Sequence, residues 1–426
     1  MKLIYVVIDG MGDLPIEELE NKTPLEAAET PHMDSLAERG KTGLMYPVRK
    51  GIAPESDVAV LSILGYDPFK SKAHRGPLEA YGADLEITDG DLALRCNFAT
   101  LGKEKRIVDR RVGRDITTEE AAKLSEAINE KVKLKSHPAE LKFKNTTGHR
   151  AALVIRSKRR FLSGQITNTD PAYSRVEGLG VARTKVEMIL KECRPLNDTE
   201  EARASARLVN EFVDKSHAIL AAHEINRMRD KEERLSANLI LTRDAGSSLP
   251  RLFKIDARYG VSFACLADMP IERGIAKVAN LELIDIPLPT GNVRMDSITR
   301  VKKLLHHLPS FDCFYIHLKG PDEPGHDGKP HLKKQVIAGV DRFFFGNLLS
   351  KIDMESCVLC VTADHSTPCK LKAHSDDPVP VLVAGSKIRG NHVKRFSERD
   401  CEKGSLGILT HGTELMPKIM SFFKSR

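Results

Sequence analysis

The sequence predicts an α/β fold with a mostly parallel sheet flanked by helices, into which a smaller α+β domain is inserted. Three observations predict it. The chain has 426 residues, too many for one ordinary core. Short apolar runs alternate with amphipathic stretches near both ends, the pattern of a parallel sheet covered by helices on both faces. Between these ends the pattern changes to paired strands and charged helical stretches.

The first alternation begins at the N-terminus. Leu3 to Ile8 forms a continuous apolar run, which is typical of a buried parallel strand. Thr30-Pro31 indicates an N-cap followed by proline at the first helical position, and Gly40 ends that helix. A further strand and a further helix are predicted at Lys41 to Val48 and Ser56 to Leu64.

The alternation returns in the C-terminal half. Six apolar runs predict strands, and three amphipathic stretches between them predict helices. The strands are Asn238 to Thr242, Val261 to Ala267, Leu281 to Leu288, Phe311 to Leu318, Ser356 to Thr362 and Val379 to Val383. The helices are Ile271 to Val278, Asp296 to Leu308 and Leu332 to Ile352.

The middle of the chain predicts a separate α+β domain. Asp91 to Thr100 and Glu140 to Arg156 contain paired strand-like runs, while Thr117 to Val132 and the long stretch Asp198 to Leu235 are predicted as helices. Because this region lies between two α/β stretches, we expect a discontinuous catalytic domain and an insert. The expected boundaries are residues 1–69 and 238–426 for the catalytic domain and residues 70–237 for the insert.

Composition narrows the classes of function. Charged residues make up 29% and hydrophobic residues 41% of the chain, which indicates a folded globular protein and not a disordered one. The formal net charge of +7 is spread among 66 basic and 59 acidic residues. This scatter argues against a nucleic-acid partner and suits a small anionic substrate. No apolar stretch reaches the roughly 18 residues that a membrane-spanning helix requires, so no membrane partner is expected.

The N-terminus and the cysteines predict a cytoplasmic protein. The apolar run that follows Met1-Lys2 is too short for a signal peptide. The eight cysteines are dispersed, as expected of reduced thiols. Cys357 and Cys360 match a C-x-x-C pattern, but residues three apart on a strand point to opposite faces, so we expect no redox or zinc role there.

Carboxylates and imidazoles follow three of the predicted strands. In open α/β sheets, ligands gather beyond the carboxyl ends of the strands, so we expect these side chains at one edge. Carboxylates with imidazoles suit divalent ions such as Mn²⁺ and Zn²⁺. The set is too large for one tetrahedral ion, and two ions about 3.5–4 Å apart are a standard clamp for displacement at phosphorus. Its members are Asp9, Asp322, His326, Asp364 and His365, and His374, which lies just before the predicted strand Val379 to Val383, is a further candidate.

Each of these residues also has an ordinary interpretation. A single Asp at a strand end is often a helix N-cap, and a lone His is often a hydrogen-bonded core or surface residue. Pro324-Gly325 makes the stretch between Asp322 and His326 a loop. Ser56, at the predicted start of a helix, is either an N-cap or a nucleophile, because a helix N-terminus favours developing negative charge and a metal activates a hydroxyl.

Five motifs in a fixed order make the pattern specific. They are Val7-Ile8-Asp9-Gly10-Met11-Gly12-Asp13, Glu55-Ser56-Asp57, Asp322-Glu323-Pro324-Gly325-His326-Asp327, Thr362-Ala363-Asp364-His365-Ser366-Thr367-Pro368 and His374-Ser375-Asp376-Asp377-Pro378-Val379-Pro380. Over essentially the whole chain, this order resembles the archaeal-type 2,3-bisphosphoglycerate-independent phosphoglycerate mutases of the alkaline phosphatase superfamily. The resemblance implies an alkaline-phosphatase-like core and an inserted domain that grips the substrate.

The resemblance also implies two metal sites. One metal would be held by Asp322, His326 and His374, and the other by Asp9, Asp364, His365 and the Ser56 oxygen. Manganese is the usual ion of the family, with zinc, cobalt or magnesium as alternatives, and no bisphosphoglycerate is required. The implied reaction moves the phosphoryl group of 3-phosphoglycerate to Ser56 and then to the other hydroxyl of the bound glycerate, which gives 2-phosphoglycerate.

The substrate's carboxylate and phosphate call for cationic, planar donors. Candidates in and near the insert are Arg110, Arg111, Arg114, His149, Arg150 and Arg243. Each arginine is equally well interpreted as a solvated surface charge, although the Asp-Arg-Arg and Gly-His-Arg clusters resemble family motifs. Arg273 is a further substrate-binding candidate, because it stands where relatives usually carry a lysine that helps to hold the phosphoryl group or to activate a hydroxyl. Arginine keeps the positive charge but does not readily release a proton, which argues against an acid–base role at this position.

Three competing functions are weighed against the mutase. A phosphomonoesterase or phosphonate hydrolase of the same superfamily would use the same metals but would release phosphate. A non-catalytic metal-binding protein is disfavoured by the intact ligand set. A dinucleotide-binding enzyme is disfavoured because Asp9-Gly10-Met11-Gly12 lacks the third glycine of that fingerprint. The oligomeric state stays open, and a homo-oligomer is compatible with the sequence.

Overall fold

The computed structural model describes residues 1–176, 179–182, 186–390 and 393–425. The chain forms two compact units, Met1–Ser71 with Leu252–Arg426, and Lys72–Arg251. The first boundary lies close to the expected one. The second does not, because residues 238–251 belong to the second unit and not to the catalytic core.

Fifteen strands are present in the described part of the chain. They are β1 Lys2–Ile8, β2 Lys41–Met45, β3 Leu92–Leu101, β4 Ile107–Asp109, β5 Ala139–Asn145, β6 Arg150–Ser157, β7 Tyr173–Val176, β8 Leu179–Ala182, β9 Leu239–Gly246, β10 Phe263–Leu266, β11 Glu282–Leu283, β12 Cys313–Leu318, β13 Cys357–Thr362, β14 Val379–Gly385 and β15 Gly407–Leu409.

Fifteen α-helices accompany the strands in the same described ranges. They are α1 Pro24–Ala27, α2 Pro31–Arg39, α3 Ser56–Ile63, α4 Arg75–Gly82, α5 Thr118–Lys131, α6 Glu200–Ala221, α7 Glu224–Lys231, α8 Ile255–Tyr259, α9 Pro270–Ala279, α10 Val293–His307, α11 Asp322–Asp327, α12 Pro330–Val340, α13 Gly346–Leu349, α14 Glu398–Cys401 and α15 Leu415–Lys424. Short 3₁₀ turns lie at Glu17–Leu19, Lys103–Lys105, Val112–Arg114 and Gly412–Glu414, and a π-helical segment lies at Asp341–Phe345.

The first unit is built on an eight-stranded, mostly parallel sheet, as the sequence predicts. Its strand order is β11-β10-β12-β1-β13-β14-β2-β15. Strand β1 lies between β12 and β13 and pairs in parallel with both. All six residues of β12 and of β13 are buried, as is nearly all of β1. This explains their uninterrupted apolar sequences, because helices cover both faces of a parallel sheet.

One strand of this sheet runs in the opposite direction. Strand β14 is antiparallel to both of its neighbours, β13 and β2. Its N-terminal end therefore lies at the edge where the parallel strands have their carboxyl ends. Since His374 precedes β14 by a few residues, this reversal brings it to the same edge as the residues that follow β1, β12 and β13.

Three predicted elements are shorter or more divided than the sequence indicates. The apolar run Leu281 to Leu288 forms a strand only at Glu282–Leu283. The predicted helix Leu332 to Ile352 divides into α12, the π-helical segment and α13. The long charged stretch Asp198 to Leu235 divides into α6 and α7, because the His223 side chain accepts a hydrogen bond from the Ile225 amide and begins a new helix.

Thr30 lies at the N-cap position of α2, as predicted, but it does not cap the helix. Its side chain makes no capping hydrogen bond. Instead, the buried Asp341 carboxylate accepts hydrogen bonds from the amides of His32 and Met33 at 3.2 and 2.8 Å. A carboxylate from a distant helix thus satisfies the first turn, which a search for local capping residues does not detect.

The second unit contains its own sheet and core. Strands β4, β3, β6 and β5 are neighbours in that order, and β9 pairs with the other edge of β3. Strand β9 corresponds to the predicted strand Asn238 to Thr242, which the sequence analysis assigned to the catalytic core; the pairing with β3 corrects that assignment. Helices α5 and α6 pack on this sheet over an apolar core that includes Phe98, Phe143 and Phe212.

No helix of the described residues is long and apolar enough to cross a membrane. The eight cysteines are all buried and none is in a disulfide. Burial raises the pKa of several of these thiols, Cys360 among them, which keeps them protonated and unreactive.

A buried lysine ties two loops of the first unit together. The ammonium group of Lys333, which is fully buried on α12, contacts the Asp13 carboxylate and the carbonyl oxygens of Gly12 and Thr367, each at 2.9 Å. These contacts join the loop that follows β1 to the loop that follows β13. An ammonium has three protons, so this one is fully satisfied.

We expect Lys333→Met to destabilise the first unit by about 3–5 kcal/mol, because Asp13 would remain as an unpaired buried charge. The measurement is the midpoint of urea unfolding, with α/β content followed by circular dichroism. Lys22→Met is the matched control, because its ion pair with Glu20 lies at the surface and should leave the midpoint nearly unchanged. Equal midpoints for the two variants would contradict a stabilising role for Lys333.

Candidate metal centre and anion-binding cluster

The candidate metal centre of the first unit lies where the central strands of the large sheet end. Asp9 follows β1 directly, and Asp364 and His365 follow β13 within three residues. Asp322 begins α11, four residues after β12 ends, so the prediction of a loop between Asp322 and His326 is wrong: the two residues are an i,i+4 pair on one short helix. Because β12, β1 and β13 are adjacent and parallel, these side chains converge at one edge of the sheet.

The three loops approach each other closely because one of them carries glycine. Gly10 has φ of +61°, and a Cβ atom there would lie 2.7 Å from Thr367 Oγ1 and 2.8 Å from the Asp322 Cα. A side chain at this position would therefore clash with both neighbouring loops as well as strain the backbone. The Gly10 amide also donates a hydrogen bond to Asp364 Oδ1 at 3.1 Å.

One group of potential ligands contains Asp322, His365 and His374. Nε2 of His374 lies 3.4 Å from Asp322 Oδ1. Nε2 of His326 is equally close, at 3.5 Å from the same oxygen and 3.2 Å from Nε2 of His374. The other ring nitrogens of the two histidines face backbone carbonyls, those of Pro54 and Lys372. This arrangement leaves both Nε2 atoms directed at Asp322, as in a metal site whose histidines are held by a second layer of hydrogen bonds.

A second group contains the buried residues Asp9, His317 and Asp364. Nε2 of His365 also lies 3.5 Å from Asp9 Oδ1 and 3.3 Å from Asp364 Oδ2. These two carboxylate oxygens are buried and make no hydrogen bond to the described residues. Buried oxygens without donors are costly, and a bound cation would satisfy them. The residues present therefore fit divalent metal ions.

All six side chains predicted as metal ligands lie in this one cluster. The resemblance implies that these ligands divide into two sets, one for each ion, but the distances do not separate the two sets clearly. His365 groups with Asp322 and His374, yet it is equally near to Asp9 and Asp364. The rings of His365 and His374 are stacked, with their centroids 3.8 Å apart. A position between the two groups is what a ligand near both ions would occupy.

Ser56 is the first residue of α3, and its N-cap is Glu55. The interpretation of Ser56 as a capping residue is therefore wrong. Its hydroxyl oxygen lies 3.3 Å from Nε2 of His365, the nitrogen that contacts the Asp9 and Asp364 carboxylates. Helix α3 is buried along most of its length, so the serine is held on a rigid element and not on a surface loop.

Crowding of charges shifts the pKa values of the cluster in opposite directions. Burial and the neighbouring Asp9 raise the pKa of Asp364 to about 7. Burial and the adjacent His374 lower the pKa of His365 to about 3. For His374, burial is outweighed by the hydrogen bond to Asp322 and by Glu55, which raise its pKa to about 9. The raised pKa of Asp364 reflects the cost of burying its charge beside Asp9, which a bound cation would offset.

Lys319 and Glu272 belong to the site but were not predicted. The Lys319 ammonium lies 2.7 Å from Glu272 Oε1 and 3.1 Å from Asp9 Oδ2. Despite burial, the Lys319 charge holds the pKa of Asp9 well below its usual range. A lysine directly after a buried apolar strand, beside the predicted edge, was the available signal. Arg273, the predicted replacement for a family lysine, lies half-buried on α9 next to Glu272.

The predicted substrate-binding residues of the second unit form a separate cationic cluster. Arg110 and Arg243 both donate to Asp170, at 2.5–2.8 Å and 2.9 Å respectively. Both guanidinium groups also lie near the Tyr173 ring, 5.0 and 4.3 Å from its centroid. One carboxylate and one aromatic ring therefore hold two arginines in fixed positions, and Arg243 is buried.

The remaining predicted residues surround this pair. Burial and nearby arginines, Arg150 first among them, lower the pKa of His149 to about 2. Burial and Arg114 likewise lower the pKa of Arg111. Arg95, which was not predicted, is held by Glu79 at 3.2 Å, and Glu79 also pairs with Arg75 at 2.7 Å. A charged residue inside the apolar strand β3 was the signal that the sequence offered for Arg95. Several partly buried arginines around the buried Arg243, held by only a few carboxylates, indicate an anion-binding cluster.

Comparisons with known proteins show the family of this chain. The family model for 2,3-bisphosphoglycerate-independent phosphoglycerate mutase matches residues 37–226. A protein of that name from Aeropyrum pernix is 40% identical over 428 residues, which cover 99% of each chain. The chain belongs to this family. A second relative of the same name, from Methanosphaera stadtmanae, is 41% identical over 95% of this chain and 94% of its own.

Solved structures show the same fold. A Pyrococcus horikoshii protein aligns with a TM-score of 0.78 and 32% identity over 99% of this chain and 97% of that one. The cofactor-independent phosphoglycerate mutase of Thermoplasma acidophilum aligns with a TM-score of 0.62 and 29% identity over 99% of both chains. Family membership implies divalent metal ions, which agrees with the two ligand groups described above.

We expect Mn²⁺ to raise the melting temperature of the metal-stripped protein, because binding to the folded state alone stabilises it by about 2.7 kcal/mol at a hundredfold excess over Kd. Asp364→Asn should remove most of that increase, since it takes away one of the two unpaired buried oxygens. The measurement is differential scanning calorimetry with and without Mn²⁺.

Glu323→Gln is the control, because this exposed residue lies beside Asp322 on α11 but belongs to neither ligand group. It should retain the full Mn²⁺-dependent increase. An unchanged increase in Asp364→Asn would contradict the assignment of Asp364 as a ligand.

Proposed function

We propose that this chain interconverts 3-phosphoglycerate and 2-phosphoglycerate without 2,3-bisphosphoglycerate, through two divalent ions and a phosphoserine at Ser56. The observation that carries the proposal is the position of the Ser56 hydroxyl, 3.3 Å from Nε2 of His365, a nitrogen that itself lies within 3.5 Å of the Asp9 and Asp364 carboxylates. A serine on a buried helix beside a metal-binding cluster is placed for attack on phosphorus and has no evident structural role there.

The first half-reaction moves the phosphoryl group to the enzyme. The Ser56 oxygen forms a bond to phosphorus, the bond between phosphorus and the substrate's C3 oxygen breaks, and that oxygen receives the proton that Ser56 loses. Bound divalent ions, with Mn²⁺ as the first choice, supply a Lewis acid that lowers the pKa of the serine hydroxyl and offsets the charge of the phosphoryl oxygens. Asp9, Ser56, Asp322, His326, Asp364, His365 and His374 would hold the two ions.

Nitrogen and oxygen ligands from rigid elements keep the serine in place during this step. Burial lowers the pKa of His365 to about 3, so its ring is neutral at physiological pH. Thr367 Oγ1 donates its proton to Asp322 Oδ1 and lies 3.0 Å from Nδ1 of His365, so the ring donates through Nδ1 and keeps a lone pair on Nε2. It is therefore suited to coordination and not to proton storage. The Asp364 carboxylate is fixed by the amides of Gly10 and His365, each at 3.1 Å from Oδ1, which leaves Oδ2 for a cation.

The second half-reaction returns the phosphoryl group to the C2 hydroxyl. That hydroxyl oxygen bonds to phosphorus, the bond from phosphorus to Ser56 breaks, and Ser56 regains a proton. The glycerate must stay bound and water must stay away from the phosphoserine in the interval. The anion-binding cluster of the second unit supplies the cations for this task. We assign binding of the substrate's carboxylate and phosphate to Arg110, Arg111, Arg114, His149, Arg150 and Arg243.

We expect the Mn²⁺-loaded protein to convert 3-phosphoglycerate into 2-phosphoglycerate at the same rate with and without added 2,3-bisphosphoglycerate. The assay couples the product to enolase and records phosphoenolpyruvate by its ultraviolet absorbance, while released inorganic phosphate is measured in parallel. Strict dependence on bisphosphoglycerate would refute the proposed route. Stoichiometric release of phosphate in place of the isomer would identify a phosphomonoesterase.

We expect Ser56→Ala to lower kcat by more than 10³-fold in a protein that still folds, because no phosphoserine can form. Each factor of ten corresponds to about 1.4 kcal/mol in the barrier. Ser62→Ala is the matched control, since it removes a buried hydroxyl from the same helix and should retain most of the activity. A folded Ser56→Ala protein that keeps more than about a tenth of the wild-type rate would rule out the covalent route. Such a small loss corresponds to a barrier change below roughly 1.4 kcal/mol.

A further inference from the structure

A buried histidine faces the second ligand group, although the predicted ligand set does not include it. His317 is the fifth residue of β12 and is completely buried. In the sheet register, Val7 of β1 lies between His317 on one side and Thr362 of β13 on the other. His317 therefore stands directly beside the strand ends that carry Asp9 and Asp364.

The distances around His317 match those between the ligands of one ion. Its Nε2 lies 3.9 Å from Asp9 Oδ1 and 3.8 Å from Asp364 Oδ2, the two buried oxygens that make no hydrogen bond to the described residues. Ligand atoms bound at 2.0–2.2 Å lie roughly 3–3.6 Å apart along the edges of a coordination shell. All three ligand atoms lie within 4.8 Å of one another, so a small inward shift of the side chains brings them onto one ion.

The other nitrogen of the ring fixes its orientation. Nδ1 of His317 lies 2.9 Å from the hydroxyl of Tyr315, which is itself buried. A metal-binding histidine usually makes such a hydrogen bond through its second nitrogen, because the bond sets the tautomer and the angle of the ring. Here it leaves Nε2 directed at the two carboxylates.

Lys319 completes the arrangement. Its ammonium lies 3.1 Å from Asp9 Oδ2, so that Asp9 Oδ1 is the oxygen left on the side of His317. The same ammonium is 3.4 Å from Nε2 of His317. An ammonium group only donates, so this contact is a hydrogen bond only when Nε2 carries a lone pair, which is also what a metal ligand requires.

The competing interpretation is a protonated ring that balances the surrounding charge. Burial and Lys319 lower the pKa of His317, but Glu272, Asp9 and Asp364 raise it, and the result lies above the ordinary value. An imidazolium would then occupy the space between the carboxylates. The two interpretations differ in one respect, since a protonated ring excludes a cation from this position and a neutral ring binds one.

We propose that His317 is a ligand, through Nε2, of the metal ion held by Asp9 and Asp364, and that Tyr315 positions it. The proposal rests on the proposed function, which places an ion there, and adds a ligand to it. With His317, the three adjacent parallel strands β1, β12 and β13 each supply a side chain to the same ion. The register of the sheet then fixes the coordination geometry, with Asp9, Asp364, His365 and the Ser56 oxygen as the other ligands.

The test is titration of the metal-stripped full chain with Mn²⁺ in an isothermal calorimeter. Wild type should bind two ions. His317→Gln should lose one of them, with affinity reduced at least 100-fold, while the other site keeps its affinity. Tyr315→Phe should weaken the same site about 10–100-fold, as removal of a partner to a ligating histidine does. His306→Gln, at an exposed histidine on α10, should change neither site.

Two ions bound with unchanged affinities by a folded His317→Gln protein would overturn the proposal and favour the imidazolium. Fewer than two ions bound by wild type would instead overturn the proposed two-metal function. Should His317→Gln fail to fold, the proton NMR spectrum of the Co²⁺-substituted wild-type protein distinguishes a coordinated His317 from an uncoordinated one. A strongly shifted N–H resonance that Tyr315→Phe alters supports a coordinated His317, and the absence of any such resonance overturns it.

Discussion

The burial of several carboxylates at one edge of the large sheet is the constraint on which the first unit depends. Strands β12, β1 and β13 are adjacent, parallel and buried, so the residues that follow them are forced together. Two of the resulting carboxylates, Asp9 and Asp364, lie side by side, and their repulsion, together with burial, raises the pKa of Asp364 to about 7. Such a cluster is stable only with cations around it, which is the physical basis for a metal centre here.

The protein supplies part of that positive charge itself. Lys319 pairs with Asp9 and Glu272 on one side of the cluster, and His374 faces Asp322 on the other. These partners leave specific oxygens unpaired and do not neutralise the whole site. Lys333 acts one layer further out, where it holds the backbone of the two loops that carry Asp9 and Asp364. The ligands are thus fixed by the fold before any ion is considered, as preorganised sites require.

The two units have complementary chemistry. The first concentrates carboxylates and imidazoles, which bind cations, and the second concentrates arginines, which bind anions. In the second unit the arginines are held by a few shared acids, Asp170 between Arg110 and Arg243, and Glu79 between Arg75 and Arg95. Each acid offsets less charge than it contacts, so a net positive field remains for a phosphorylated carboxylate. A substrate that carries both a phosphoryl group and a carboxylate suits these two kinds of binding group.

The sequence by itself determined the fold class, the strands that carry the site and the identity of its main residues. It did so because buried parallel strands have continuous apolar sequences, and because three such strands are each followed closely by Asp or His, a pattern that helix capping or surface exposure rarely produces three times. The order of the five motifs along the chain indicated the family. The sequence also correctly placed Ser56 at the start of a helix, although it left open whether the hydroxyl caps that helix.

Only the tertiary structure decided which distant side chains meet. Strand β9 looks like any strand of the α/β core, and its membership of the second unit follows from pairing with β3 across more than a hundred residues of sequence. The local sequence of β14 does not indicate that this strand runs antiparallel to its neighbours, although that direction brings His374 to the site. Asp341 caps α2 from a separate helix, and Lys319, Glu272 and His317 enter the site from β12 and α9. Each depends on a non-local contact, and local sequence encodes the conformation of a segment but not the partner that a side chain finds across the fold.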